Sequence, residues 1–142
     1  MVNSAANREA SDNHQRSLFW KTLWHLNVPN KIKSFAWRAS KNILPTKDNL
    51  CRRKVIDVLT CEACGFGVES TGHVFWECEK AQEVWVLSSI PFDPPELLAP
   101  NFMDFLLLLK FRQKMGDELL ELMVMVAWCL WFNCNEVRQG KA

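Results

Sequence analysis

Cys61, Cys64, His73 and Cys78 stand in the order C-x2-C-x8-H-x4-C within one run, CEACGFGVESTGHVFWEC. Three thiols and an imidazole make up the ligand set of a closed, four-coordinate Zn2+ site, with no coordination position left for a substrate water. The chemistry on offer is therefore structural metal binding. Two cysteines separated by two residues fit a tight turn that aims both sulfurs at one point, and Gly65 and Gly67 supply the positive φ such a turn needs. His73 and Cys78 are five apart, about 140° around an ideal helix, so a straight helix through both would splay them. The spacing predicts a short helix begun by Ser70 or Thr71, carrying His73 and breaking near Cys78 so that its sulfur swings back.

Two other readings compete for these residues. CEAC could be a redox dithiol, but such a pair is expected near a βαβ pattern, and none surrounds it. Each residue alone could be an ordinary buried thiol or core histidine, which four together in so short a run make the poorer account. The retroviral knuckle has C-x2-C-x4-H-x4-C, so the x8 segment here departs from it and nucleic-acid binding does not transfer by spacing. Cys129 and Cys134 have no nearby His and read as packing thiols; Cys51 lies outside a complete ligand set.

The elements that must position these ligands read as helices. Leu18, Phe19, Leu23, Trp24 and Leu26 have helical spacing, ended by Asn27-Val28-Pro29. Ile32, Phe35, Ala36, Ala39 and Ile43 predict a second helix with Lys31, Arg38 and Lys41 off its apolar face. Thr46 is a good N-cap for a third, TKDNLCRRKV, whose terminal cations suit the macrodipole. Beyond the ligands, Ala81, Val84, Trp85 and Leu87 predict a helix that sets its indole against the finger. Asn101 reads as the cap of a helix over NFMDFLLLLKFR. Gly116-Asp117 then starts another, DELLELMVMVAWCLWFNCNEVR, apolar nearly all round from Leu119 to Phe132, which implies several packing neighbours or a missing partner. Trp128 and Trp131 read as core.

The chain has 142 residues, 49% hydrophobic, with seven Trp and nine Phe, enough for a sizeable core. Residues 1–17 are polar and without apolar period, which predicts disorder, no signal peptide and an intracellular setting. The longest uncharged apolar stretch, Leu122 to Phe132, falls short of the ~20 residues of a membrane helix. Net charge is +1. It conceals a basic segment from Lys31 to Lys54, with eight cations against Asp48, and an acidic one from Val55 to Leu109, with nine acids against Lys80. Such separation predicts a basic face able to track phosphates through Lys31, Lys33, Arg38, Lys41, Arg52 and Arg53, unless the two segments pair with each other. No phosphate loop, nucleophile elbow, H-E-x-x-H or Mg2+-binding carboxylate cluster is present, and no enzyme is expected.

The succession Phe19-Trp20-Lys21-Thr22-Leu23-Trp24, Val28-Pro29-Asn30-Lys31-Ile32-Lys33, Phe35-Ala36-Trp37-Arg38, Ile43-Leu44-Pro45-Thr46 with Leu50 and Arg53, then Cys61-x2-Cys64, Glu69-Ser70-Thr71-Gly72-His73-Val74-Phe75, Cys78, Ala81 and Val84-Trp85 resembles the zinc-binding domain of plant LINE-type (non-LTR retrotransposon) reverse transcriptases. Trp128-x2-Trp131 with Asn135-Glu136 resembles, more weakly, the tryptophan-rich helix that leads into a ribonuclease H domain. The resemblance implies a module between polymerase and ribonuclease H parts of a polyprotein, with one structural Zn2+ on Cys61, Cys64, His73 and Cys78. Neither catalytic domain is in this sequence, Cys134 replaces a usual basic residue, and Asn30 stands where a second proline is common. These departures and the short length imply a truncated copy.

The expected architecture is a mainly α, small multi-helix domain with one structural CCHC zinc site and C-terminal apolar helices. Its divisions are a disordered 1–17, a reverse-transcriptase-type zinc-binding domain over 18–90, a Pro-rich linker at 91–100 and a helical C-terminal extension over 101–142. The expected partner is RNA or DNA, gripped by its backbone without sequence selection. The alternative is a zinc-stabilised interaction domain whose apolar C-terminal helix docks on a polymerase or ribonuclease H domain; a thiol enzyme using Cys61 and Cys64 is a third.

Overall fold

Apolar side chains at helical intervals decide where each element turns inward. The computed structural model describes residues 4–90 and 102–138, and side chains within them from 13 to 136. The expected linker at 91–100 and the cap at Asn101 lie outside the described residues. Helix α1 (Ser4–His25) buries Phe19, Thr22 and Leu23 on one face of a 3.6-residue period, Leu26 just past its end is buried too, and the chain turns before Pro29. The disorder expected over 1–17 is corrected at residues 4–17, which continue this helix. Ala5, Ala6, Arg8, Glu9, Ala10, Gln15 and Arg16 are good helix formers, and elongation from an already packed helix needs no new nucleus.

Helix α2 (Asn30–Ser40) buries Ile32, Phe35, Ala36 and Ala39. Ile43, expected on the same face, lies past the helix end and is exposed, because Asn42 turns the chain at φ +56. Helix α3 (Lys47–Arg52) is capped as expected, the Thr46 hydroxyl accepting from the Asn49 N–H. It is shorter than expected: Arg53 is its C-cap, and Lys54 adopts φ +61.

Downstream of the finger, α4 (Glu79–Ser88) buries Ala81 and Trp85 and leaves Leu87 exposed. Helix α5 (Phe102–Leu107) runs into a wide π-turn, Leu108–Arg112, and α6 (Asp117–Arg138) follows. No strand longer than a single bridge, Thr60 with Val68, occurs among the described residues. None of their helices is long and apolar enough to cross a membrane.

One core joins the two ends of the chain. Phe35 of α2, Phe75 beside the finger and Phe102 of α5 form a ring cluster with centroids 5.7, 6.0 and 5.4 Å apart, and Trp76 stacks on Phe105 at 4.9 Å. From α6, Leu120, Met123, Val124, Ala127 and Trp131 enter the same core. The near all-round apolar character of α6 is thus half used: Leu122, Met125 and Phe132 remain on the surface. Trp131 is core as expected, whereas Trp128 is half-buried and Cys129, expected to pack, is exposed.

Phe75 has no exposed surface and touches three of these rings. Phe75→Ala should cost about 3–5 kcal/mol of unfolding free energy, measured by denaturant titration with circular dichroism.

Candidate metal centre

The finger begins where Leu59–Cys61 and Gly67–Glu69 pair as a two-stranded ribbon. Cys61 N–H donates to the Gly67 carbonyl at 3.1 Å and Glu69 N–H to the Leu59 carbonyl at 2.9 Å. Between them the chain reverses through Cys61–Gly65, closed by the Gly65 N–H on the Cys61 carbonyl at 2.9 Å. Gly65 and Gly67 take φ of +76 and +72, the left-handed values expected of them. Gly67 also lies under the His73 ring: a Cβ there would touch its Cε1 at 3.4 Å.

His73 arrives on a device that spacing on an α-helix does not anticipate. Ser70 caps the turn, its hydroxyl accepting from the His73 N–H at 3.2 Å. His73–Glu77 then winds as a π-turn, and the Cys78 N–H bonds to the His73 carbonyl at 2.8 Å. This i→i+5 closure sets residue 78 over residue 73, and Cys78 leaves helical geometry at ψ 133. The break at Cys78 is as expected; the wide turn is what brings the five-residue spacing to one side. The Trp85 indole N–H bonds to the Phe75 carbonyl, so α4 does set its indole against the finger.

All four candidate ligands converge. One donor atom from each of Cys61, Cys64, His73 and Cys78 lies within 4.8 Å of every other. The Cys61 and Cys78 sulfurs are 4.0 Å apart, and the Cys64 sulfur is 3.4 Å from His73 Nε2. A tetrahedral Zn2+ with sulfur at about 2.3 Å and nitrogen at about 2.0–2.1 Å sets its donors roughly 3.5–3.8 Å apart. The cluster fits one such ion. Cys61 and Cys78 are buried with Ala81 and backed by Leu130 of α6, while Cys64 stands at the rim.

Burial pushes the Cys61 thiol up to about 11, so in the metal-free chain it is neutral at physiological pH. Burial also acts to raise Cys64, but hydrogen bonding from the Phe66 backbone and from Cys78 and Cys61 outweighs it and lowers that thiol. His73 is lowered by burial, partly offset by Glu77 and Glu69, which keeps its imidazole neutral and available as a ligand.

Glu69, named from the sequence only within the family succession, organises the surroundings. It has no exposed surface, accepts from the Lys47 N–H at 3.0 Å and lies 3.5 Å from the Cys134 sulfur of α6. Its carbonyl accepts from the Asp48 N–H. Glu69 thus takes up a further N–H at the N-terminus of α3, beside the Thr46 cap and the first-turn acid Asp48. An isolated acid in a loop carries no periodic signal that would reveal this.

The basic residues do not form one uniform face. Lys31 lies over the Trp128 ring at 5.0 Å, Lys33 over Trp24 at 4.9 Å and Lys41 over Trp37 at 5.4 Å. Arg38 and Arg53 are exposed, and Arg52 pairs with Asp48 at 3.2 Å. Lys47 is buried, its ammonium on Glu62 and the Thr60 carbonyl, so one cation of the basic segment does pair with the acidic one.

Metal uptake by this cluster must displace the Cys61 proton and competes with protonation of His73 and the other thiols. The apparent zinc affinity should therefore fall steadily from pH 8 to pH 6, with proton release on binding, as read by chelator competition and by calorimetry in buffers of different ionisation enthalpy.

A protein-family model described as "zinc-binding in reverse transcriptase" matches residues 2–85, more than half of the chain. An Arabidopsis thaliana protein named as a ribonuclease H protein is 32% identical over 68 residues, 48% of this chain and 11% of that relative. The chain thus spans a small part of the relative's length, and no solved structure matches it. With the donor cluster inside the matched residues, the chain belongs to the family of reverse-transcriptase zinc-binding domains.

Proposed function

We propose that this chain is a non-catalytic zinc-binding module of a retroelement reverse transcriptase. Cys61, Cys64, His73 and Cys78 hold one structural Zn2+, which ties the Cys61–Cys78 loop to α4 and α6. The observation that carries this reading is the convergence of the four donors in a chain of this family. Binding free energy is folding free energy when a site is unformed in the open chain, so the metal is part of the fold.

In this reading Lys31, Lys33, Arg38, Lys41, Arg52 and Arg53 contact RNA or DNA phosphates without sequence selection. Five of the six are exposed, and Lys33 is half-buried. The finger supplies the scaffold and the preceding helices supply the charge.

Native mass spectrometry should find one zinc per chain, absent from His73→Ala. At free zinc about 1,000 times Kd, stripping the metal should remove about 4 kcal/mol of stability. Duplex affinity should fall with added salt, and Arg38→Ala should reduce the logarithmic salt slope by about 1. Affinity indifferent to salt would remove the phosphate reading.

A second reading, docking on a polymerase or ribonuclease H domain, rests on the exposed Leu122, Met125 and Phe132 of α6, which share one helical stripe. Trp131 is buried, so polar substitution there tests folding rather than docking. Phe132→Ser should leave the melting temperature within a few degrees and abolish concentration-dependent association in analytical ultracentrifugation. Association that survives this change would count against docking through the stripe.

A further inference from the structure

Three tryptophans of α1 and α2 stand partly in solvent. Trp20, Trp24 and Trp37 are 39%, 53% and 38% exposed, although each is large enough to fill a core position. They touch in series: Trp20 and Trp24 at 5.1 Å, Trp20 and Trp37 at 6.4 Å with planes 69° apart. Trp20 and Trp37 line a groove of about 600 Å3 between α1, α2 and α5, within the size range of small-molecule sites. Its remaining lining is mixed, with Phe19 and Met103 apolar, Gln15, Ser17, Ser40 and Asp104 polar, and Arg16 and Lys41 cationic.

An apolar peptide would use the walls and leave Gln15, Ser17, Arg16 and Lys41 unmatched. An inorganic phosphate would use the cations and leave the indoles. A nucleotide uses all three: a flat base against an indole, base-edge donors and acceptors against the Gln15 amide and the Ser17 hydroxyl, and its phosphate toward Arg16 and Lys41. Duplex bases are already stacked and cannot enter, whereas unpaired ones can. Lys33 over Trp24 and Lys41 over Trp37 extend the cationic surround along the same row of rings.

We propose that the groove between α1, α2 and α5 is a binding site for unpaired bases of single-stranded RNA or DNA, with Trp20 and Trp37 as stacking surfaces and Arg16 and Lys41 as phosphate contacts. It deepens the nucleic-acid reading above and rests on it. The basic residues hold backbone of any kind; the groove adds selection for single strands.

The test compares ten-nucleotide oligo-dT and oligo-rU with a blunt duplex of mixed sequence at low salt, using the full zinc-loaded chain. Anisotropy gives affinity and indole emission reports stacking. The strands should bind roughly tenfold or more tighter than the duplex and quench tryptophan emission. Trp20→Leu should erase the preference while leaving duplex affinity and its salt slope unchanged, and Trp37→Leu, which also removes the ring under Lys41, should erase the preference as well. Equal affinity for strand and duplex, or a preference that survives Trp37→Leu, overturns this inference and leaves the phosphate reading standing. Absence of binding to either nucleic acid overturns both. The unmodified chain's strand preference and quenching decide the matter even where a variant fails to fold.

Discussion

A carboxylate with no exposed surface must be satisfied from within, and Glu69 is where this fold meets that requirement. Its partners come from separate parts of the chain: the N–H of Lys47 at the start of α3 and the thiol of Cys134 near the end of α6. Its own backbone is shared between the ribbon, through the Leu59 carbonyl, and α3, through the Asp48 N–H. Glu69 sits between the two halves of the ligand set, four residues before His73. Ribbon, α3 and α6 must therefore be in place together, and their assembly carries His73 toward the cysteines. The x8 segment, longer than in the retroviral knuckle, is the stretch that holds this acid and the Ser70 cap.

Local chemistry was legible where one residue type has one strong use. The CEAC turn with its two glycines, the Thr46 cap, the chain break at Cys78 and the Trp85 indole against the finger all follow from such residues. Features set by distant partners were not. Residues 4–17 carry no apolar period, yet they extend a helix nucleated by the packed Phe19–Leu26 half. The π-turn at His73–Glu77 is invisible to a 3.6-residue template, because its purpose is to meet Cys61 and Cys64 twelve and nine residues upstream. Trp24 has the spacing of a buried residue and is half in solvent, since a periodic pattern does not say how wide the covered face is.

The charge asymmetry of the sequence resolves into three kinds of cation. Lys47 is consumed internally by Glu62 and the Thr60 carbonyl, whereas Arg52 pairs at the surface with its helical neighbour Asp48 and stays exposed. Lys31, Lys33 and Lys41 rest on indole faces, which limits the rotamer freedom that contact with a phosphate would otherwise remove. Arg38 and Arg53 project into solvent. Position 134, where the family resemblance leads one to expect a basic side chain, faces the Glu69 carboxylate; a thiol offers one weak bond there in place of an ion pair.

The ring cluster of Phe35, Phe75 and Phe102 has a consequence for what counts as the heritable unit. The family match ends at residue 85, but Phe75 and Trp76, inside the match, complete their packing on Phe102 and Phe105, outside it. Leu130 of α6 likewise closes the hydrophobic cover over Cys61 and Cys78. The stretch that the family model matches is thus smaller than the stretch that buries itself, and α5 and α6 shelter a finger to which they contribute no ligand. A recombination breakpoint just after Trp85 would move a complete set of metal donors without the surface that shelters it.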